Sequence, residues 1–331
     1  MESDLEQVLE RKRLRRKLTV WRVLAFGAAV LAVVVGFSAF TNLDQFEKQS
    51  PHIARIPISG FIHSSRYASK QLEKIRKDEN VKAVIVAIDS PGGTTVGGEA
   101  LHNAIRKIAK EKPVVSSIGG LAASAGYMVA VAADHIVAPR TSIVGSVGVL
   151  FQYPNATELF GKIGVSMEEI KSSPLKAEPS PFNETPPEAV AMLESMLLDT
   201  YQWFADLIKD RRSFSDVEAD GLLDGSVFSG QQALKNKMID QLGDEAVAKQ
   251  WLVDEKEVPD DLEIVTWSLT KPQDPFLSGT SIAKSALKLV GLGELVALSE
   301  HAAPQIRNSN LDGFLSVWQA VNPSGTNRLG Q

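Results

Sequence analysis

Apolar and polar positions alternate between strand-like and helix-like spacings along most of the chain. A nearly continuous aliphatic run at 81–89 is typical of a buried parallel strand, and residues 113–120 are predicted to form another strand and a turn. Each of these strands is followed by a segment expected to be helical, at 100–110 and at 122–133, the second made mainly of small residues. Strands that alternate with helices predict a parallel sheet with helices outside it. The expected fold class is therefore α/β.

Capping signals predict further helix starts. Thr185 reads as an N-cap, followed by proline at the first helical position and Glu188 at the third, and this helix is predicted to run to about Arg212. Ser229 and Gln232 form a second capping box. The remaining predicted elements are strands at 53–62 and 135–139, a helix at 65–77, a glycine-rich loop at 90–98 and an amphipathic helix at 282–298.

The N-terminal pattern predicts a membrane anchor. Six Lys and Arg residues lie between positions 11 and 17, and an uncharged apolar run of eighteen residues follows at 23–40. As a helix this run rises about 27 Å, close to the thickness of the hydrocarbon core. A buried core helix or a cleaved signal peptide are the alternatives, but the run is longer than the usual apolar region of a signal peptide.

The basic flank is expected to stay on the cytoplasmic side. We therefore predict a cytoplasmic segment at 1–17, a transmembrane anchor at 18–41 and a linker at 42–52. The rest of the chain would then lie on the outer, periplasmic side of the cytoplasmic (inner) membrane.

Composition removes several chemistries. The net charge of −5 is mildly acidic, whereas phosphate binding needs a basic face, so no nucleic-acid partner is expected. The absence of cysteine removes disulfides, thiolate metal sites and a cysteine nucleophile. No cluster of His, Asp and Glu has metal-ligand spacing and no phosphate-binding loop is present, so neither a metal nor another cofactor is predicted.

Ser124 stands alone among alanines and glycines, directly after a predicted strand. A serine attacks a carbonyl only when a base takes its proton. His135 lies 11 residues further on, about 16 Å along a helix, and His102 lies on a helix with an apolar face, so a Ser–His–Asp triad has little support. A lysine base must be neutral and therefore buried. Lys176, in a loop with apolar and proline neighbours, is a candidate, and an ordinary solvent-exposed loop lysine is the alternative.

An oxyanion site needs backbone N–H groups aimed at one point. Gly92 and Gly93 follow a buried strand, where glycine lets the backbone approach a substrate closely. The N–H of Ala125, next to Ser124 at a helix start, is a second candidate donor. A simple turn at Ser90-Pro91-Gly92-Gly93 remains the alternative.

Four ordered segments resemble the signal peptide peptidase A family, whose members are membrane-anchored bacterial serine proteases with a Ser-Lys dyad. The segments are VIVAIDSPGGTTVGGEALHNAI, EKPVVSSIGGLAASAGYMVAVAADHIVAPRTSIVGSVGV, IKSSPLKAEPSPF and DGSVFSGQQALKNKMIDQLG. The resemblance covers roughly 53–250. It implies a ClpP- or crotonase-like core of repeated ββα units, which we place at 53–255, with 256–331 as an extension of unknown role.

The resemblance also implies roles for individual residues. Ser124 matches the family's nucleophile, and Lys176, 52 positions later, matches its general base. Ser146 matches the serine that holds this lysine, and Gly92, with Gly93 beside it, matches the oxyanion loop. The chain departs from the family in having Ala125 where glycine is frequent, and a serine pair at 172–173 where Ser-Gly is frequent.

A single copy of the core resembles the short form of the family, in which subunits assemble and Ser and Lys can come from neighbouring protomers. The expected function is endopeptidase cleavage of remnant signal peptides or other unfolded hydrophobic peptides at the membrane, by a homo-oligomer. A peptide-binding membrane scaffold without catalysis is the alternative. Acyl-CoA chemistry on a crotonase-like fold explains neither the anchor nor Lys176.

Overall fold

The computed structural model describes residues 48–271, the backbone of a strand at 315–317, and four residues near the N-terminus. The chain divides into two compact units, Met1–His52 and Ile53–Gln331. Across the described part of the chain, no helix has the length and apolar character needed to cross a bilayer. The anchor predicted at 18–41 lies almost entirely outside the described residues, and it stays a prediction.

One sheet contains nine strands within the described residues, and its main path runs β6-β5-β3-β2-β1-β8. β4 pairs with β3 and β7, and β9 pairs with β2. The strands are β1 (His52–Ile62), β2 (Val81–Thr94), β3 (Val114–Ala123), β4 (His135–Ala138), β5 (Ile143–Gly145), β6 (Val227–Ser229), β7 (Gln241–Leu242), β8 (Glu263–Thr266) and β9 (Leu315–Val317).

The helices lie between these strands along the chain. They are α1 (Arg66–Lys77), α2 (Thr95–Ala109), α3 (Ala125–Ala130), α4 (Thr157–Lys162), α5 (Pro187–Arg212), α6 (Asp216–Ala219), α7 (Gly230–Lys235) and α8 (Glu245–Lys256). The predicted α/β class is thereby confirmed.

The centre of the sheet is parallel. β2 and β3 run side by side from the pair Val84–Val114 to the pair Ile88–Ile118, and β3 is parallel to β4 and β5 as well. After a bulge the register resumes with Ser90 opposite Ala122. Because parallel strands end at the same edge, this register brings the end of β2 beside Ser124.

Buried aliphatic side chains cover both faces of the sheet. In β2, Val84 and Val86 belong to a cluster with residues of α1, α2, α3 and α5, whereas Ala83 and Ile85 belong to a cluster with α8. Successive side chains of a strand point to opposite faces, so this division places helices on both sides. It also explains why the strand reads as an unbroken apolar run.

Two sequence signals for helix starts can be compared with the structure. Ser229 and Gln232 form a complete capping box at the start of α7, as predicted. α5 ends at Arg212, also as predicted, but Pro186 rather than Thr185 is its N-cap. β8 lies beyond residue 255, where we placed the end of the core, and the N–H of Trp267 donates to Arg55 O at 2.8 Å.

The helix predicted at 122–133 is wrong in its extent. β3 continues through Ala123, Ser124 is the cap, and α3 contains six residues. Alanine and glycine carry no periodicity that separates a strand from a helix, so a tertiary contact decides. That contact is the pairing of β3 with β5, which places Ala123 opposite Gly145.

The loop predicted at 90–98 is also wrong in its extent, because β2 continues to Thr94 and α2 begins at the next residue. Thr94 Oγ1 caps α2 by accepting from the N–H of Gly97 at 3.1 Å. The glycines serve close packing here: a Cβ at Gly93 would lie 1.9 Å from Ile62 O. The amphipathic helix predicted at 282–298 lies outside the described residues.

Candidate active site

Ser124 occupies a strained turn between β3 and α3. Its φ of 56° and ψ of −118° lie in a region that costs a non-glycine residue about 1–3 kcal/mol. Its backbone O accepts the first helical hydrogen bond, from the N–H of Met128 at 2.9 Å. A sharp, strained turn from strand to helix is a recurring way to present a serine nucleophile.

Close packing holds this turn in place. A Cβ at Gly126 would lie 2.8 Å from Ser90 O, so only glycine allows α3 to approach the end of β2 this closely. Ser124 itself is 1% exposed, and its N–H donates to Gly145 O at 2.8 Å. Its Oγ also has a long contact of 3.5 Å with Gly148 O.

Ser146 directly follows a residue that bonds Ser124. It follows β5, whose last residue, Gly145, accepts the hydrogen bond from the N–H of Ser124. Ser146 has a φ of 54°, and its N–H donates to Ser226 O at 2.7 Å. The structure therefore brings these two of the predicted site residues together, at the ends of neighbouring parallel strands.

The predicted oxyanion loop lies on the other side of β3. Ser90 Oγ donates to Gly60 O at 2.6 Å and accepts from the N–H of Gly92 at 3.1 Å. Gly92 has a φ of 113°, which favours glycine, and Gly93 packs directly on the backbone of β1. Sequence reasoning missed Ser90 as the residue that fixes this loop. The signal available in the sequence was a serine placed between an aliphatic run and two glycines.

A strand from the C-terminal part of the chain, β9, lies beside the predicted oxyanion loop. β9 pairs antiparallel with the end of β2, with Val317 opposite Gly92, Ser316 opposite Gly93 and Leu315 opposite Thr94. Extended backbone can therefore bind beside the predicted oxyanion loop. Adding a strand to a sheet edge is a general mode of peptide recognition.

Lys176 has a different environment. It lies in a turn, where its N–H donates to Ser173 O at 3.1 Å, and residues 172–177 are all exposed. Within residues 48–271 its side chain makes no hydrogen bond or ion pair. The structure thus does not pair Lys176 with Ser124 inside one chain.

A second lysine of this loop is unsuited to be a base. Lys171 Nζ lies 2.6 Å from a carboxylate oxygen of Glu169 and 2.5 Å from one of Glu178. The hydrogen bonds to these two carboxylates raise the pKa of Lys171 and lower the pKa of both carboxyls. Lys171 is therefore held protonated.

The histidines considered as alternative bases serve elsewhere. The Nδ1 of His102 donates to Met128 O at 3.0 Å, and burial lowers the pKa of this ring. His135 stacks on Trp251 with ring centres 4.6 Å apart. Among the described residues, no group of three or more His, Asp and Glu side chains is arranged to hold a metal ion.

Comparison with known proteins identifies two family models along this fold. The model of Peptidase family S49 matches residues 106–259, and the model of Clp protease matches residues 58–147. The first match includes Ser124, Ser146 and Lys176. The second includes the Gly92–Gly93 loop, and it agrees with a ClpP-like core.

Individual relatives agree with these models. A Synechocystis sp. protein named as a putative protease is 34% identical over 229 residues, which are 69% of this chain and 83% of that protein. A putative signal peptide peptidase SppA of Enterococcus faecium is 30% identical, over 57% of this chain and 56% of its own length. The chloroplastic serine protease SPPA of Arabidopsis thaliana is 32% identical, over 53% of this chain and 26% of its own length.

Proposed function

The chain belongs to peptidase family S49 and is a protease, and from this premise we propose that it is a membrane-anchored serine endopeptidase with Ser124 as nucleophile and Lys176 as general base. The observation that carries the nucleophile is the strained turn at Ser124 between the predicted oxyanion loop and β5. The match to family S49 supports the serine type.

In the proposed reaction, the neutral amine of Lys176 takes the proton of Ser124 Oγ while that oxygen attacks the scissile carbonyl. The negative charge that develops on the carbonyl oxygen is stabilised by backbone N–H groups at Gly93 and Ala125. The resulting ammonium of Lys176 gives its proton to the leaving amine. Lys176 then takes a proton from the water that attacks the acyl-enzyme, and it returns this proton to Ser124 Oγ as that oxygen leaves, which regenerates both groups.

The proposed substrate is an extended, unfolded peptide. The pairing of β9 with Gly92–Thr94 supports this, because the same edge would present N–H and C=O groups to a substrate strand. Glycines at 92 and 93 leave that edge free of bulky side chains. Remnant signal peptides fit such a cleft, and they would reach it at the outer face of the cytoplasmic membrane if the segment 18–41 anchors the chain there.

We place Lys176 of one copy beside Ser124 of a second copy. The segment 153–198, here called the arm, carries Lys176 and exposes many large apolar side chains. They are Tyr153, Leu159, Ile163, Val165, Met167, Ile170, Leu175, Val190, Met196 and Leu198. A soluble surface rarely exposes so many together unless they meet a partner. Contact with a second copy would bury them and remove Lys176 from water, as a neutral amine requires.

The test uses the full chain in detergent, with a casein or fluorogenic-peptide substrate. Ser124→Ala and Lys176→Ala should each lower kcat by at least about a thousandfold, because each removes one member of a dyad. Lys162→Ala, an exposed arm lysine, is the matched control and should cleave like the wild type. Mixing the two inactive variants and allowing subunits to exchange should restore part of the activity.

The outcomes separate the parts of the proposal. Cleavage by Ser124→Ala at the wild-type rate would exclude the nucleophile. Inactive variants whose mixture stays inactive despite subunit exchange would place both residues in one chain. Ile170→Asp should yield smaller particles by light scattering, and unchanged size with lost binding to phospholipid vesicles would assign the arm to lipid instead. A correctly assembled wild type that binds peptides without cleaving them would favour the scaffold function.

A further inference from the structure

The C-terminal end of α3 is held by side chains from three other elements. Helix ends leave carbonyl oxygens without helical partners, and here side chains donate to two carbonyls of α3 and to three carbonyls of residues 131–133, which directly follow it. His102 of α2 donates to Met128 O at 3.0 Å, Ser116 of β3 to Ala130 O at 3.0 Å and Arg106 of α2 to Ala132 O at 2.8 Å. Arg211 of α5 donates to Val131 O and Ala133 O, both at 2.8 Å.

Arg211 differs from the other donors in two respects. It bonds two carbonyls at once, through Nε and Nη2, so its planar guanidinium fixes both the position and the orientation of residues 131–133, which directly follow α3. It also comes from α5, which is distant in sequence, whereas His102, Arg106 and Ser116 belong to the elements directly preceding α3.

The short length of α3 transmits this constraint to its other end. Six residues rise about 9 Å, and Ser124 directly precedes the first of them. All six residues are buried, so close packing makes α3 move as one unit and passes a shift at one end to the other. Because a misplacement of about 1 Å can cost about a hundredfold in rate, the position of residues 131–133 at the end of α3 bears on the attack by Ser124 Oγ.

We propose that Arg211 is a positioning residue for Ser124: by clamping Val131 O and Ala133 O it holds α3 so that the hydroxyl meets its base and the scissile carbonyl. This proposal rests on the proposed function of Ser124. It also gives α5 a double role. The N-terminal part of α5 belongs to the exposed arm, while its last turns contribute Phe204 and Ile208 to the core and Arg211 to α3.

The test compares Arg211→Met with Lys209→Met in the full chain. Both remove one positive charge from the same part of α5, but the side chain of Lys209 pairs with Asp216 of α6 at 2.9 Å and with Asp206 of α5 at 3.6 Å. Arg211→Met should lower kcat by about 10- to 100-fold with KM within about twofold, since the cleft at Gly92–Thr94 is untouched. Arg211→Lys, which keeps the charge and one donor direction, should fall between. Lys209→Met should keep the wild-type kcat.

Amide hydrogen exchange supplies a readout that does not depend on catalysis. Exchange in residues 125–133 should accelerate in Arg211→Met and stay unchanged in Lys209→Met. A kcat for Arg211→Met equal to that of Lys209→Met would overturn the proposal, whatever exchange shows. If Arg211→Met does not fold, the same criterion applies to Arg211→Lys. Failure of the proposed function is detected separately, as peptide cleavage that survives in Ser124→Ala. In that case, unchanged amide exchange of residues 125–133 in Arg211→Met would overturn the positioning role.

Discussion

The surroundings of Ser124 and of Lys176 are built in opposite ways. Ser124 is 1% exposed, in a strained turn fixed by three strands and the close approach of Gly126 to Ser90. Lys176 lies in an exposed turn of the arm. A catalytic serine needs a fixed geometry, which a core provides, whereas a catalytic lysine needs dehydration, which this arm alone does not provide. One chain therefore completes half of the proposed site.

Matched glycine substitutions test this contrast most strongly. A Cβ at Gly126 would lie 2.8 Å from Ser90 O, whereas a Cβ at Gly161 in α4 would have nothing within 4 Å. Gly126→Ala should lower the free energy of unfolding by about 1–3 kcal/mol and kcat by at least about tenfold, because α3 must move away from β2. Gly161→Ala should stabilise the arm by about 0.5–1 kcal/mol, because alanine is the better helix former.

Chemical denaturation and steady-state kinetics on the same samples measure both effects. If Gly126→Ala keeps the wild-type kcat, the turn at Ser124 tolerates displacement. The fixed geometry of the core would then not be required for catalysis. Equal destabilisation by both alanines would show that the arm is as tightly packed as the core.

The sequence predicted the rigid half better than the open half. The aliphatic run at 81–89 and the capping box at Ser229 depend on local patterns, and the structure agrees with both. The extent of α3 could not be predicted, because alanine and glycine suit either state until β5 pairs with the end of β3. Nor could the clamp formed by Arg211, which joins carbonyls 78 and 80 positions away.

For Lys176, the residue type and its spacing from Ser124 came from a family resemblance, and no local pattern distinguishes it from a solvated lysine. The paired Lys171 five positions earlier has stronger local interactions but the wrong protonation state for a base. Burial of Lys176 depends on contacts beyond the local sequence. In the structure, the apolar side chains exposed along the arm are the feature that points to such contacts.

A second, smaller effect concerns the strand that occupies the predicted cleft. Removing residues 310–331 deletes β9, which pairs with Gly92–Thr94. Since a tethered segment competes at a high effective concentration, kcat/KM should rise at least about threefold, mainly through a lower KM. Steady-state kinetics on a peptide substrate measures the change. Ser316→Pro should act in the same direction, because proline cannot donate to the ladder.

A synthetic peptide of residues 310–321 is the control for this prediction. Added to the shortened chain, it should restore a competitive pattern of inhibition. Unchanged KM together with unchanged kcat in the shortened chain would show that β9 and the substrate use different edges. Lower kcat with unchanged KM would instead make β9 a structural part of the site.

The two regions should also differ in their response to acid, which is the smallest effect. Burial, together with the nearby charges of Arg211 and Arg106, lowers the pKa of His102 beside α3. The stability that the neutral ring contributes is therefore lost progressively as the pH falls below about 6.5. In the arm, the hydrogen bonds of Glu169 and Glu178 to Lys171 lower the pKa of both carboxyls. Their contribution is complete above about pH 4.3 and is lost as pH falls through the lowered values.

Exchange protection, corrected for the intrinsic effect of pH, should therefore fall first in residues 125–133 and only at lower pH in residues 169–180. His102→Gln keeps a donor for Met128 O and cannot take up a proton, so it should abolish the first change and leave the second. Lys171→Met should lower the protection of the arm loop already at neutral pH and leave α3 unaffected. If exchange protection is lost at the same pH in both regions, the core and the arm unfold as one cooperative unit.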